Sequence, residues 1–306
     1  MTAFSREAQR QRICPGWFSV WLLAILSVLA MSLSGFSARA QSAPDPLRPK
    51  RKLKAPTPTP TPMALPADIT IPQYKPGEMP FHDGEQLVFQ ASWIGIRAAQ
   101  ARLVIHRNPK DPNVWTAEVW LETSKLVDVI YKMRDYVAER FEVGSLNFQK
   151  MYVQQSEKKR FAEFMVDFDP QKNLVTQVKR NRKGSNSRQF IAHNPVGPVS
   201  GSLMALSQPL DPGSTLVFDV FGGSVRVVFS FHVEARERVN VPMGTFDAFR
   251  ISPSVVYLSD GSWRSEARET MLWVSADKRR LPLRAETAAF FGVVRADLIQ
   301  VDGKPP

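Results

Sequence analysis

The stretch Val225-Arg226-Val227-Val228-Phe229-Ser230-Phe231-His232-Val233 decides the fold. Val225, Val227, Phe229, Phe231 and Val233 recur at every second position. An extended chain gathers such residues on one face, whereas a helix would scatter them around its axis. Arg226 and His232 fall on the other face, where solvent is expected. Just upstream, Leu216, Phe218 and Val220 repeat the alternation, and Phe221-Gly222-Gly223-Ser224 reads as the turn between the two strands.

The pattern continues in both directions. Leu87, Phe89, Ala91 and Trp93 share one face, as do Ala101, Leu103 and Ile105, then Trp115, Ala117, Val119 and Leu121, then Phe164, Val166 and Phe168. Asn108 to Asn113 and Asp169 to Asn173 are turn clusters, and Asp260-Gly261 has the composition of a tight hairpin. Short connections with no long helical pattern between them predict antiparallel neighbours, and the alternating runs suggest about twelve strands. Two short helices are expected. Leu126, Val129, Ile130 and Met133 form a stripe within Lys125 to Arg134, and Val199 to Ser207 follows Pro198.

The N-terminal part has a different character. Arg6, Arg10 and Arg12 precede an apolar run from Trp17 to Phe36, and Ala38-Arg39-Ala40 fits a cleavage site. Residues 1–40 therefore read as a secretory signal, or as an uncleaved membrane anchor, since about 20 apolar residues can span a bilayer. Either way the arginines place the rest of the chain outside the cytoplasm. The expected location is the periplasm, with a membrane tether through residues 17–36 if the segment stays. The one cysteine, Cys14, precedes the apolar run, which argues against lipidation and leaves no thiol or disulfide chemistry in the exported part.

Residues 41–80 read as a disordered, basic, Pro/Thr-rich linker. The cluster Arg48 to Lys54 is followed by Pro56-Thr57-Pro58-Thr59-Pro60-Thr61-Pro62, an extended polyproline spacer rising about 3.1 Å per residue. The formal net charge is +11, and much of it lies in these first 80 residues. The remaining body, residues 81–303, is mildly basic, with no clustered basic module. That argues against nucleic acid as a partner. It is long enough to bury its own core.

Three motifs resemble a known family. Phe81-His82-Asp83-Gly84-Glu85-Gln86-Leu87 with Trp93-Ile94-Gly95-Ile96 opens the body, Val241-Pro242-Met243-Gly244-Thr245-Phe246 lies later, and Trp273-Val274-Ser275-Ala276-Asp277-Lys278-Arg279-Arg280-Leu281-Pro282 lies near the end. In this order they resemble the exported bacterial proteins grouped as domain of unknown function 3108. Ala99 stands where that pattern leads one to expect glycine. The resemblance implies a mainly β domain, a large curved antiparallel sheet or partly open barrel or roll with one or two short helices. It brings no catalytic residues with it.

The motif residues have physical readings of their own. Gly84 and Gly244 suit tight turns. Glu85 is placed to reach a backbone N–H or an arginine. Ser275 and Asp277 are expected to bond their own turn after Trp273, with Arg279 and Arg280 pairing Asp277 or Glu269, and Pro282 to set the next strand. No catalytic constellation is visible: His82, His106, His193 and His232 are widely spaced, and no metal motif or cofactor fingerprint is present. Ser200 and Ser202 follow His193 without a nucleophile signature.

The function expected is non-catalytic binding of an apolar or amphipathic envelope molecule such as a lipid. The alternative is an envelope scaffold tethered by the proline spacer. The residues proposed for ligand contact are Trp93, Phe290, Phe291 and Arg280. A cavity between the concave face of the sheet and Val199 to Ser207 is the place to look.

Overall fold

The computed structural model describes Leu65 and residues 69–158, 160–223, 226–259, 262–266, 269–289 and 292–302. Fifteen strands occur among them. The first eight are β1 (Glu85–Trp93), β2 (Ile96–Asn108), β3 (Asp111–Thr123), β4 (Arg134–Glu142), β5 (Phe148–Glu157), β6 (Arg160–Asp169), β7 (Leu174–Asn181) and β8 (Gly184–Ile191). The other seven are β9 (Thr215–Phe221), β10 (Arg226–Val241), β11 (Gly244–Ser259), β12 (Ser262–Glu266), β13 (Thr270–Ser275), β14 (Pro282–Ala288) and β15 (Val293–Val301). Helix α1 (Lys125–Tyr131) joins β3 to β4, and α2 (Pro198–Leu206) lies between β8 and β9.

All the strands belong to one sheet, in the order β8-β7-β6-β5-β4-β3-β2-β1-β15-β14-β13-β11-β10-β9, with β12 paired to β11. Every ladder is antiparallel. The chain thus forms a meander in which β15 returns to pair with β1. The Asp260-Gly261 turn lies outside the described residues, although β11 and β12 pair as its flanks require.

A sheet this wide cannot stay open and flat; it curls to bury one face. Bulges at Val88/Phe89, Ala91/Ser92, Arg140/Phe141 and Val233/Ala235 add local bend. The two ends of the strand path come together as a result. Gln177 of β7 donates to the Gly223 carbonyl in the β9–β10 turn. Phe221 of β9 packs its ring 5.6 Å from Phe190 of β8 and 5.9 Å from Phe148 of β5. Among the described residues no ladder joins these ends. Instead residues 192–197 bridge them, for Pro195 accepts from Phe148 N–H at 3.2 Å and Val196 accepts from Phe221 N–H at 3.0 Å.

Helix α2 fills the roll. All nine of its residues are buried. The sequence Pro-Val-Ser-Gly-Ser-Leu-Met-Ala-Leu can sit inside because its polar members are small and satisfied locally. Ser202 Oγ donates to the Pro198 carbonyl at 2.6 Å, and Ser200 Oγ accepts the Gly197 N–H at 2.9 Å. A helix surrounded by apolar side chains needs no polar face. Phe89, Trp115, Phe164, Phe218, Phe229 and Phe231 are likewise buried in this core.

Two expectations are corrected here. Arg226 does not face solvent; the seam covers it, and it is almost wholly buried. The segment before Phe81 is also part of the body. The Tyr74 hydroxyl accepts the Val217 N–H at 2.9 Å, its ring centre lies 4.7 Å from that of Phe218, and Gln208 donates to the Lys75 carbonyl at 3.0 Å. This strap lies against β9, whose outer backbone groups would otherwise be an open sheet edge.

Candidate functional site

Between α2 and the sheet, a gap of about 30 Å³ remains, bounded by Phe81, Phe89, Leu103, Val119, Leu203 and Pro282. That is room for about one water molecule. The large opening lies elsewhere, at the seam. A cleft of about 870 Å³ separates the strap, residues 69–76, from the β4–β5 turn and the end of β8.

The residues around the cleft come from six places in the chain. Ile69, Ile71 and Tyr74 of the strap, Ile191 of β8, Met204 of α2 and Phe218 of β9 supply apolar surface. Asn147, His193 and Asn194 supply polar groups. Asp219 and Arg226 also line it. Arg226 donates through Nε to Asp219 Oδ1 at 2.9 Å and through Nη2 to Oδ2 at 2.7 Å. Its guanidinium lies 5.0 Å from the Phe221 ring centre and 5.9 Å from that of Phe190. Burial pushes the Asp219 carboxyl up, and the two hydrogen bonds and charge of Arg226 oppose that shift. A buried guanidinium keeps its charge, so the pair stands as an ion pair held in a fork geometry between aromatic rings.

A second buried carboxylate sets the helix. Glu139 of β4 is fully buried. Its Oε2 accepts the Val199 N–H at 2.8 Å and its Oε1 the Ser200 N–H at 3.0 Å. These are orphan donors of the first turn of α2, and a carboxylate is favoured there by the helix dipole. Burial raises the Glu139 carboxyl, while the Ser200 side chain and the backbone N–H groups pull it down. A Cβ at Gly197 would collide with this carboxylate, so the close approach requires glycine.

Of the residues singled out from the sequence, Trp93 and Arg280 do not line the cleft. Trp93 ends β1 and packs partly buried against the core, opposite Val294 of β15. Arg280 lies in the β13–β14 connection with its guanidinium 4.9 Å from the Phe249 ring centre. Phe290 and Phe291 lie outside the described residues.

The motif residues build turns. Gly84 and Gly244 adopt φ of +82° and +126°, which suits glycine. Glu85 is fully buried; its Oε1 receives Arg279 Nη2 at 2.7 Å and its Oε2 the His82 N–H at 3.1 Å. The Arg279 side chain thus pairs with Glu85 across the fold, while its backbone N–H donates to Asp277 Oδ1 at 3.0 Å. Ser275 Oγ donates to Asp277 at 2.7 Å and accepts the Leu281 N–H at 2.8 Å. Trp273 Nε1 donates to Glu237 at 2.8 Å, and Pro282 opens β14.

The sequence reading missed Tyr74, Asn147, Asp219 and Glu139. Only one signal in the sequence points to any of them: an acidic residue within the alternation of β9, at the face opposite Phe218.

A rolled antiparallel β protein with a helix in its interior and a cleft at its seam is thereby defined. The chain belongs to the family described as protein of unknown function DUF3108, whose model matches residues 88–299. No curated protein matches it. Among solved structures it is similar to a β-barrel-like protein of domain of unknown function DUF1849 from Brucella abortus, with 8% identity, TM-score 0.47, and 72% of this chain and 97% of that chain covered. It is also similar to an exported protein with a YmcC-like fold from Bacteroides fragilis, with 9% identity, TM-score 0.33, and coverage of 74% and 98%. A third is a candidate lipoprotein from Parabacteroides distasonis, with 9% identity, TM-score 0.35, and coverage of 74% and 99%. Among the described residues, no helix is long and apolar enough to cross a membrane.

Proposed function

We propose that the protein is a non-catalytic domain of the bacterial cell envelope that binds an amphipathic envelope molecule in the seam cleft. The cleft carries this reading. Its volume of about 870 Å³ falls within the range of ligand sites, roughly 300–1,000 Å³. Apolar side chains from the strap, β8, β9 and α2 suit an acyl or ring system. Asn147, His193 and Asn194 at the same opening suit a polar head. The signal-like N-terminus supports the periplasmic side of the membrane as the place of action.

Titration with a fluorescent fatty acid tests this. The wild-type chain should give saturable, one-to-one enhancement of the probe. Gly144 lines the cleft and a Cβ there meets no atom within 4 Å, so Gly144→Trp blocks the opening without disturbing the core and should abolish the enhancement. Equal enhancement by the wild type and by Gly144→Trp would reject the cleft as the site.

A further inference from the structure

Helix α1 turns its apolar stripe the wrong way for a core. Leu126, Val129 and Ile130 are 60%, 85% and 74% exposed, and no residue of the helix is buried. Val127 and Tyr131 face inward instead, packed against the core. The helix is fixed in this attitude. Ser124 Oγ accepts the Val127 N–H at 3.0 Å, Thr123 and Arg134 both bond Asp128, and the Lys132 carbonyl accepts the Lys158 N–H at 2.7 Å.

The stripe has company. Seven large apolar side chains are exposed among the described residues. Six of them, Ile94, Ile96, Leu126, Val129, Ile130 and Val293, lie on connections at one set of strand ends. These are the β1–β2 tip, α1 and the start of β15. The strands concerned are contiguous, since β15 pairs with β1, β1 with β2, β2 with β3, and β3 with β4. A Cβ placed at Gly292 would lie 3.8 Å from Ile94 Cγ1, so the two tips are neighbours. Only Ile191, beside the cleft, is at the other set of ends.

Cations surround these apolar tips. Arg97, Lys125 and Lys132 are exposed on the same connections, and Lys158 and Arg160 at the β5–β6 turn on the same set of strand ends. The carboxylates among them are occupied. Asp128 and Glu122 pair with Arg134, Glu286 pairs with Arg295, and Glu157 is buried and accepts from the Tyr131 hydroxyl at 2.7 Å. Glu269, just before β13, is the exposed exception among the described residues.

We propose that this rim docks onto the surface of an anionic phospholipid bilayer. Apolar side chains on separate tips enter the interface, and the lysines and arginines beside them meet the phosphates. The charge arrangement selects this occupant. A second copy of the chain would set like charges against each other, and isolated tips on three connections do not make the continuous face of about 800 Å² that a protein partner needs. The inference is independent of the cleft: the rim can dock whether or not the cleft is filled.

Site-specific fluorescence on the full chain tests it. Cys14→Ser removes the native thiol, and a single cysteine is placed by Val129→Cys or, at the exposed β6–β7 turn, by Lys172→Cys. Both carry an environment-sensitive label. Any tether supplied by residues 1–64 acts on both labels alike. With vesicles of phosphatidylcholine and phosphatidylglycerol, the label at 129 should brighten and shift to the blue while that at 172 stays water-like. Lys125→Gln and Lys132→Gln should each raise the lipid concentration for half-response about fivefold. Leu126→Ser with Ile130→Ser, at exposed positions that leave the fold intact, should remove the blue shift. The proposal fails if the label at 129 stays water-like, if both labels respond alike, if pure phosphatidylcholine works equally well, or if brightening appears without vesicles as protein concentration rises, which would mark self-association.

Discussion

The contact between Glu139 and Gly197 gives a prediction whose sign does not depend on any single energy. Glu139→Ala strips the acceptors from two buried N–H groups, those of Val199 and Ser200. Each orphaned buried donor costs about 1–3 kcal/mol, so the variant should lose about 2–5 kcal/mol, less what is recovered by no longer burying a carboxylate. Gly197→Ala has no backbone penalty, since φ is −91° and ψ is −173° there. Its cost is the collision of the new Cβ with the Glu139 carboxylate, an overpacking of about 1–3 kcal/mol. In the Glu139→Ala background that collision is gone. The second substitution should then cost nothing, and the double-mutant cycle should show favourable coupling of about 1–3 kcal/mol. Urea denaturation of the four proteins measures this, provided the m-values agree. Additivity within about 0.5 kcal/mol would refute the claim that the carboxylate holds the start of α2.

Three further predictions follow from other parts of the molecule. Asp135 is pushed up to about 7, chiefly by burial, with the Ser156 N–H opposing and Glu157 adding to the rise. The folded state therefore holds a proton that the unfolded chain releases near pH 3.9. Stability from this group is complete below about pH 4 and is lost as the pH rises through 7. By about pH 8 the loss reaches about 4 kcal/mol, and Asp135→Asn should gain that much over wild type there and little near pH 4, read from paired denaturation curves. Asp219→Ala leaves Arg226 buried without its partner and should cost about 3–5 kcal/mol, whereas Asp219→Leu with Arg226→Met should recover most of it in the same assay. Tyr74→Phe removes the acceptor of the Val217 N–H and about 1 kcal/mol, so hydrogen exchange at that amide should quicken about fivefold while the β1–β2 amides stay unchanged.

The strands around Phe229 and Phe231 were legible because one face is buried and the other wet, so period two survives in the sequence. The strands that escaped notice have physical excuses. In β4, Asp135 and Glu139 occupy buried positions beside Val137 and Phe141, and charges on the inward face disguise the alternation. In β8, Gly184 to Gln189 are mostly exposed and polar, so no apolar face exists to read. The short helix after Pro198 was visible, but not its complete enclosure, because Ser200, Gly201 and Ser202 look like surface residues until the Ser202 hydroxyl is seen to bond the Pro198 carbonyl and that of Ser200 the Gly197 N–H and the Glu139 carboxylate. The outward stripe of α1 looked like any amphipathic helix; only tertiary packing shows which side is inside. The cleft was out of reach. It joins the strap, the β4–β5 turn, β8, α2, β9 and the start of β10, and no local pattern announces a place where the two ends of a rolled sheet meet. Arg226 illustrates the point: its alternation position is that of a solvent residue, and the closing of the seam buries it.

Native mass spectrometry of the full-length chain recovered from cells bears most directly on the cleft as a binding site. Wild type should carry one amphipathic small molecule per chain, and Gly144→Trp should emerge bare. Wild type without any adduct, or both proteins loaded equally, would contradict it.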